Sequence, residues 1–150
     1  REHTQLAILE QDEALFLERL SSPTSGANIT RIAGRLPLHA SSSGLALLAF
    51  GDDDLRDRVL AGPLVPLTSD TISDPATLRQ KLAEIRTLGH AIAPGSIELV
   101  STGVAVPIRS ASGIAIAALS VVLRRGDPVE PALRELHLGR QEIESNLGRF

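Results

Sequence analysis

The sequence contains no cysteine, methionine, tryptophan or tyrosine, and three phenylalanines make up its aromatic fraction of 2%. Without cysteine, the chain can form neither a disulfide framework nor a thiolate zinc site. So few aromatic side chains also exclude the stacking platforms that bind single-stranded nucleic acid. Because position 1 is not methionine, we expect this chain to be part of a longer protein.

Positive charge is scarce as well, since Lys81 is the only lysine and the formal net charge is −3 at pH 7. DNA-binding domains normally present a basic face, whereas the longest basic cluster here is Arg124-Arg125. The longest apolar runs, such as residues 113–123, are shorter than the roughly 20 residues that a membrane span needs. We therefore expect a cytoplasmic domain that neither enters a membrane nor binds DNA by itself.

The first part of the chain has the alternating pattern of β-structure. Glu2–Leu9 and Ala14–Leu20 alternate apolar and polar residues, and Glu10–Glu13 between them is polar, which predicts a β-hairpin. The segment Ser21–Asn28 has the composition of a loop. A short third strand is predicted at Ile29–Ile32.

The middle of the chain carries three helix start signals. Ser41–Ser43 offers N-cap residues to a helix at Leu45–Phe50, Asp52–Asp54 begins a second helix, and Asp74-Pro75 begins a third. Gly51 and Gly89 are expected to end the first and third helices. A short strand at 90–93 follows. The apolar residues expected to face the core are Leu55, Val59 and Leu60 in the second helix and Leu78, Leu82, Ile85 and Leu88 in the third.

The last third predicts a hairpin and a long helix. Val100–Ile108 and Gly113–Leu123 are apolar, β-branched runs joined by a turn at Arg109–Ser112, and we expect them at the centre of the sheet. The final helix is predicted to begin at Asp127-Pro128, with Glu130 completing a capping box. Its near-heptad stripe, interrupted by Arg140, favours either a buried helix or an oligomer contact; the apolar members are Val129, Leu133, Leu136, Ile143 and Leu147. The two hairpins together predict an α+β fold with an antiparallel sheet flanked by helices.

Motifs for catalysis or metal binding are missing from this sequence. It has no Gly-x-Ser-x-Gly elbow, no His-x-x-x-His pair and no phosphate-binding glycine loop. His39 lies two residues before Ser41. It is expected to hydrogen-bond the loop backbone, with the alternative that it acts together with a serine in a hydrolase site. Asp52–Asp54 is expected to be a solvated helix start, with a divalent cation site as the alternative. We expect no metal, no cofactor and no enzymatic activity.

The turn Ser41–Gly44 is the strongest candidate for a ligand contact. Free backbone N–H groups and the helix dipole favour an anion at a helix N-terminus, and serine hydroxyls add further donors and acceptors. Taken alone, the pattern is more often that of an ordinary N-cap.

Five segments in order extend this turn into a family resemblance. Residues 34–50 (GRLPLHASSSGLALLAF) resemble the signature at the start of the effector-binding domain of IclR-family transcription regulators. Residues 67–75 (LTSDTISDP) are similar to the family's Thr-x-x-Thr-Ile-x-Asp-Pro segment. Residues 82–91 look like the following helix end and strand start. Residues 104–108 and 117–121 look like its final hairpin.

The resemblance implies a GAF-like α+β domain over residues 1–150 that senses a small metabolite, often a carboxylate or an aromatic acid. It also implies a homodimer or homotetramer, with DNA bound by an N-terminal winged helix-turn-helix outside this chain. The resemblance assigns the effector contacts to residues on the serine turn and on the strands facing it. These are Leu36, Ser42, Ser43, Gly44, Ala93, Ser101, Gly103, Ser120 and Val122.

The chain departs from the family pattern at four positions near that site. Ala93, Ser96, Val100 and Gly103 stand where relatives often have Asp, Glu, Gly and Cys. We expect Gly103 to enlarge the site and the lost acids to make it less polar, which favours an aromatic or amide-like ligand over a two- or three-carbon keto acid. Two alternatives remain open. One is a small hydrolase that uses Ser42 or Ser43 with His39, and the other is a dimerisation module with a vestigial pocket.

Overall fold

The fold was analysed in a computed structural model that describes residues 4–20 and 34–147. Its strands are β1 Thr4–Glu10, β2 Glu13–Leu20, β3 Arg35–Pro37, β4 Ala91–Pro94, β5 Ser101–Arg109 and β6 Ala115–Arg124. Its helices are α1 Ser42–Ala49, α2 Asp53–Ala61, α3 Pro75–Leu88 and α4 Glu130–Leu147. No helix within 4–20 and 34–147 is long and apolar enough to cross a membrane. The strand predicted at 29–32 lies outside the described residues.

All six strands form one antiparallel sheet in the order β3-β2-β1-β6-β5-β4, which confirms the predicted α+β class. Gln11 and Asp12 join β1 to β2 with φ of 51° and 63°, the left-handed values that suit a two-residue hairpin turn. The β5–β6 hairpin is also confirmed. β6 lies beside β1 at the middle of the sheet, whereas β5 lies one strand from its edge.

The two faces of the sheet carry separate apolar clusters. α1, α2 and α3 contribute to the cluster on one face, and α4 packs on the other. Ala105 faces α1 while Val104 and Val106 face α4, as the alternation of a strand requires. Small side chains from four strands underlie the wholly buried α1, which lets that helix lie close to the sheet; they are Ala7, Ala91, Ala105 and Ala118.

Three helix starts follow the sequence signals. Ser41, Asp52 and Asp74 are the N-caps of α1, α2 and α3, and each side-chain oxygen accepts a hydrogen bond from a backbone N–H three residues later. Gly89 ends α3 in the left-handed conformation, with φ of 83°. Leu88 contradicts the prediction for α3, because it is 53% exposed. As the last residue of its helix, it projects beyond the part of α3 that meets the core.

The start of α4 was predicted wrongly. The helix begins at Glu130, because Gly126, with φ of 97°, closes a turn in which Asp127 N donates to the Arg124 carbonyl. Pro131 in the first helical turn is the better signal, since a missing N–H costs nothing there. The apolar stripe is only partly buried: Leu136 is covered, Leu147 is 43% exposed, and the remaining members are half-buried.

Replacing Asp74 with alanine should lower the stability of the domain through the loss of the α3 cap. Thr77 N and Thr77 Oγ1 each donate to Asp74 Oδ2 at 2.8 Å, and the backbone bond, followed by the hydroxyl bond, holds the pKa of Asp74 below its usual value. A carboxylate with a depressed pKa stabilises the fold above its unfolded pKa and loses that effect as the pH falls through the folded pKa. The stability difference between wild type and Asp74→Ala should therefore be present at pH 7 and shrink in acid, as measured by urea unfolding.

Asp127→Ala is the matched control for this test. Asp127 is exposed, and its side chain has no hydrogen bond to any residue that the structure describes. Its replacement should leave the midpoint of urea unfolding nearly unchanged, both at pH 7 and in acid. An equal loss in the two variants would contradict the assignment of Asp74 as the cap.

Candidate functional site

A pocket opens in front of the N-terminus of α1, on the sheet face that α1 covers. Its enclosed part measures about 30 Å3, and about 370 Å3 is reached only when the space at its open mouth is included. Its lining comes from β1, β2, β3, the α1 N-terminus, β4, the loop 95–100, β5 and β6. The lining residues are Gln5, Phe16, Leu36, Ser41, Ser42, Ser43, Ala93, Ser96, Ile97, Glu98, Ser101, Gly103, Ser120 and Val122.

The N-terminus of α1 directs free backbone donors at this pocket. Ser41 Oγ accepts from Gly44 N at 2.8 Å, and the Ser41 carbonyl accepts from Leu45 N at 2.9 Å. Ser42 N and Ser43 N, at the first two helical positions, have no acceptor among the described residues. Both residues are nearly fully buried. The positive end of the helix dipole therefore meets the pocket with two unsatisfied N–H groups.

Two buried hydroxyls in the lining also have no hydrogen-bond partner in the described part of the chain. They are Ser43 Oγ and Ser96 Oγ, and their residues are 1% and 6% exposed. A buried hydroxyl without a partner is unfavourable by about 1–3 kcal/mol. Each of these hydroxyls is therefore open to a partner from outside the protein, such as a water molecule, an ion or a ligand.

Gly103 permits close contact between β5 and α1. A Cβ on Gly103 would lie 2.7 Å from Ser42 Oγ and 3.1 Å from Ser42 Cβ. The expectation that Gly103 leaves extra room is therefore wrong in this structure, because the Ser42 side chain takes up the space that a larger residue would need. Ala93 pairs with Gly103 on the neighbouring strand, and it does add apolar surface to the wall.

Eight of the nine residues predicted as ligand contacts line the pocket; Gly44 does not. The Gly44 N–H donates to the Ser41 side chain. The Gly44 Cα lies against Leu38, and a Cβ on Gly44 would come within 2.7 Å of both the Leu38 Cα and the Leu38 carbonyl oxygen. Gly44 thus positions α1. Sequence reasoning missed Gln5, Phe16, Ile97 and Glu98, because strand pairing across the sheet and the course of the loop 95–100 bring them in.

The loop 95–100 is held over the pocket by the threonines of the segment 67–75. Thr68 Oγ1 donates to the Gly95 carbonyl and Thr71 Oγ1 to the Ser96 carbonyl, each at 2.6 Å. From the other side, Arg125 donates to the Leu99 carbonyl at 3.1 Å and forms an ion pair with Asp70 at 2.7 Å. These contacts give the Thr-x-x-Thr motif a positioning role, since they place Ser96 and its neighbours in the pocket wall.

His39 has a backbone partner and lines a different cavity. Its Nε2 lies 2.8 Å from the Val65 carbonyl oxygen, as expected for a histidine that holds the loop backbone. Among the described residues, neither Ser42 nor Ser43 forms a hydrogen bond to His39. The hydrolase alternative thus gains no support from the geometry.

The remaining candidates for metal binding are explained by structure. Asp52 Oδ1 caps α2 by accepting from Leu55 N at 2.8 Å, as predicted for a helix start. His90 and His137 approach each other edge to face, with centroids 6.3 Å apart, although they are distant in sequence. Burial lowers the pKa of both imidazoles. A nearby positive charge lowers each pKa further, from Lys81 for His90 and from Arg140 for His137. No three potential metal ligands cluster within residues 4–20 and 34–147.

The chain is similar over most of its length to a family of bacterial regulators. The family profile described as "Bacterial transcriptional regulator IclR C-terminal" matches residues 1–134. The Pca regulon regulatory protein of Pseudomonas putida is 32% identical over 139 residues, which cover 91% of this chain and 48% of that protein. The chain thus spans about half the length of this curated relative.

Solved structures agree with this similarity. An IclR homologue of Microbacterium hydrocarbonoxydans, crystallised with 4-hydroxybenzoate, is 50% identical with a TM-score of 0.92, covering 100% of this chain and 62% of that one. A double mutant of the PobR inducer-binding domain from Acinetobacter, in complex with 3-hydroxybenzoic acid, is 25% identical with a TM-score of 0.84, covering 95% and 87%. The chain therefore belongs to the IclR family of bacterial transcription regulators, and it corresponds to the effector-binding domain of these proteins.

Proposed function

We propose that the pocket binds an aromatic carboxylate of the hydroxybenzoate class. The observation that carries this proposal is the group of unsatisfied donors at one end of an otherwise mainly apolar pocket: Ser42 N, Ser43 N and Ser43 Oγ. A carboxylate accepts two or three such bonds, and the helix dipole adds about 0.3–1 kcal/mol. The described lining contains no cation, so this anion site would depend on neutral donors.

The walls suit a single aromatic ring. Phe16, Leu36, Ala93 and Val122 surround the space between the serine turn and the loop 95–100. Only about 30 Å3 of this space is enclosed, so a ring would occupy the mouth or displace lining side chains, and a much larger compound would require a larger rearrangement. A two-carbon keto acid would fill the anion end and leave the apolar walls uncovered. The hydroxybenzoates bound by two solved relatives have the combination of carboxylate and ring that these walls favour.

The bound acid would act on transcription through the rest of the protein. An effector shifts an equilibrium only by its difference in affinity for two arrangements. We infer that the acid favours one arrangement of a dimer or tetramer and thereby changes DNA binding by an N-terminal winged helix-turn-helix in the intact cytoplasmic regulator. In this proposal the domain acts as a sensor, since neither free hydroxyl is hydrogen-bonded to a general base among residues 4–20 and 34–147.

Calorimetry and thermal unfolding with a panel of acids test this function. 4-Hydroxybenzoate and benzoate should bind and raise the unfolding temperature, because a ligand that binds only the folded state at 100 times its Kd adds about 2.7 kcal/mol of stability. Glyoxylate and pyruvate should bind more weakly. Tight binding confined to these smallest acids would contradict the proposal. Absence of binding by every acid would favour a dimerisation module.

A further inference from the structure

Glu98 is the only charged residue among the described residues that line the pocket. It is half-buried in the loop 95–100. Ser101 Oγ donates to its Oε1 at 2.7 Å, so one carboxylate oxygen is held in place. Its Oε2 has no hydrogen bond or ion pair to any residue that the structure describes. An ionised carboxyl group can only accept hydrogen bonds, and Glu98 belongs to the pocket lining, so its second oxygen remains available to a hydrogen-bond donor.

Strand geometry separates Glu98 from the anion end of the pocket. Gly103 lies against Ser42 at the N-terminus of α1. Ser101 precedes Gly103 by two residues on the same face of β5, a distance of roughly 7 Å along a strand. Since Glu98 is bonded to Ser101, its carboxylate lies toward the end of β5 that points away from the body of α1. Glu98 and the free N–H groups of α1 therefore lie at different ends of the pocket lining.

The two ends of the pocket therefore have opposite preferences. Free N–H groups at the α1 end favour an anion, while Glu98 repels a second anion and accepts a hydrogen bond from a donor. We propose that Glu98 is a specificity-determining residue: it selects aromatic acids that carry a hydroxyl or amino group opposite the carboxylate and rejects diacids. This inference rests on the proposed function and adds the chemistry required at the far end of the ligand.

Glu98→Gln tests this selection, because it keeps the shape of the side chain and removes its charge. Binding of three probes to wild type and variant is measured by calorimetry: 4-hydroxybenzoate, benzoate and terephthalate. The variant should bind 4-hydroxybenzoate about tenfold more weakly, since a charge-assisted hydrogen bond becomes a neutral one. It should bind terephthalate about tenfold more tightly once the like charge is gone. Benzoate, which reaches Glu98 with no polar group, should bind nearly equally to both proteins.

Glu135→Gln is the matched control, because Glu135 is exposed on α4, outside the pocket, and its side chain has no hydrogen bond or ion pair to a described residue. It should change none of the three affinities. If Glu98→Gln fails to fold, Ser101→Ala tests the same selection by releasing Oε1, and it should reduce the preference for 4-hydroxybenzoate over benzoate. If Glu98→Gln changed the affinities for 4-hydroxybenzoate and benzoate equally, or left the weak binding of terephthalate unchanged, the role of Glu98 would be overturned while the proposed function would stand. Failure of wild type to bind any of the benzoates would overturn the proposed function as well.

Discussion

Replacing Gly44 with alanine is expected to lower the free energy of unfolding by about 2–3 kcal/mol. In most helices this substitution stabilises, because alanine exceeds glycine by about 1 kcal/mol in helix propensity. Here the added Cβ would come within 2.7 Å of the Leu38 Cα and carbonyl oxygen, and backbone cannot rotate away as a side chain can. The contact therefore outweighs the propensity, and α1 must move away from the turn at 38–40.

Gly62→Ala provides the comparison for this prediction. The Cβ at position 62 would meet its nearest atom, the Arg58 carbonyl oxygen, at 3.4 Å, which is ordinary contact, and the backbone φ of −90° suits alanine. Urea unfolding should show little change for this variant and a clear loss for Gly44→Ala. Affinity for 4-hydroxybenzoate should fall in Gly44→Ala as well, because α1 carries the donors. A Gly44→Ala variant more stable than wild type would show that the Leu38 backbone can move away from the added Cβ at little cost.

Ser43→Ala should produce opposite effects on stability and on binding. Without ligand, the variant should be as stable as wild type or more stable by about 1 kcal/mol, since it removes a buried hydroxyl that has no protein partner. With 4-hydroxybenzoate, affinity should fall by about 10- to 100-fold, the usual contribution of a hydrogen bond to a charged group. A merely structural serine would not give this pair of results.

Ser73→Ala is the control for the serine substitution. Ser73 is exposed and precedes α3 outside the pocket, so the variant should match wild type in calorimetry and in unfolding. A Ser43→Ala protein that lost stability without ligand would indicate that the hydroxyl has a structural partner. A variant that kept full affinity would remove Ser43 Oγ from the proposed carboxylate site.

Local patterns in the sequence predicted most of the secondary structure. Asp74-Pro75 and Gly89 bound α3 because capping and left-handed φ are properties of a few adjacent residues. The errors occur where neighbours in space decide the result. Leu88 continues the apolar spacing of α3, but the core ends before it. Asp127-Pro128 has the form of a cap, yet the turn at Gly126 delays α4 to Glu130.

The residues of the candidate site fall into the same two groups: those predicted from adjacent sequence and those brought together only by the tertiary structure. The serine turn could be identified from residues 34–50, because an N-cap, the free donors after it and the family signature are all contiguous. Gln5, Phe16 and Glu98 could not, since each reaches the pocket through strand pairing or a loop held by distant threonines. Gly103 was interpreted as open space, and only the packing of α1 on β5 fills that space with Ser42.

The chain's own pattern thus decides the caps of α1, α2 and α3, the two hairpins and the position of the serine turn, because backbone hydrogen bonding and side-chain periodicity act over a few residues. Tertiary structure decides the width of the pocket, which hydroxyls stay without a partner, and the acid at the far end. Those properties depend on atoms that meet from different strands, and no linear spacing encodes their separation. The serine turn by itself predicts an anion site, and the proposed choice among anions depends on residues that only the fold brings to that turn.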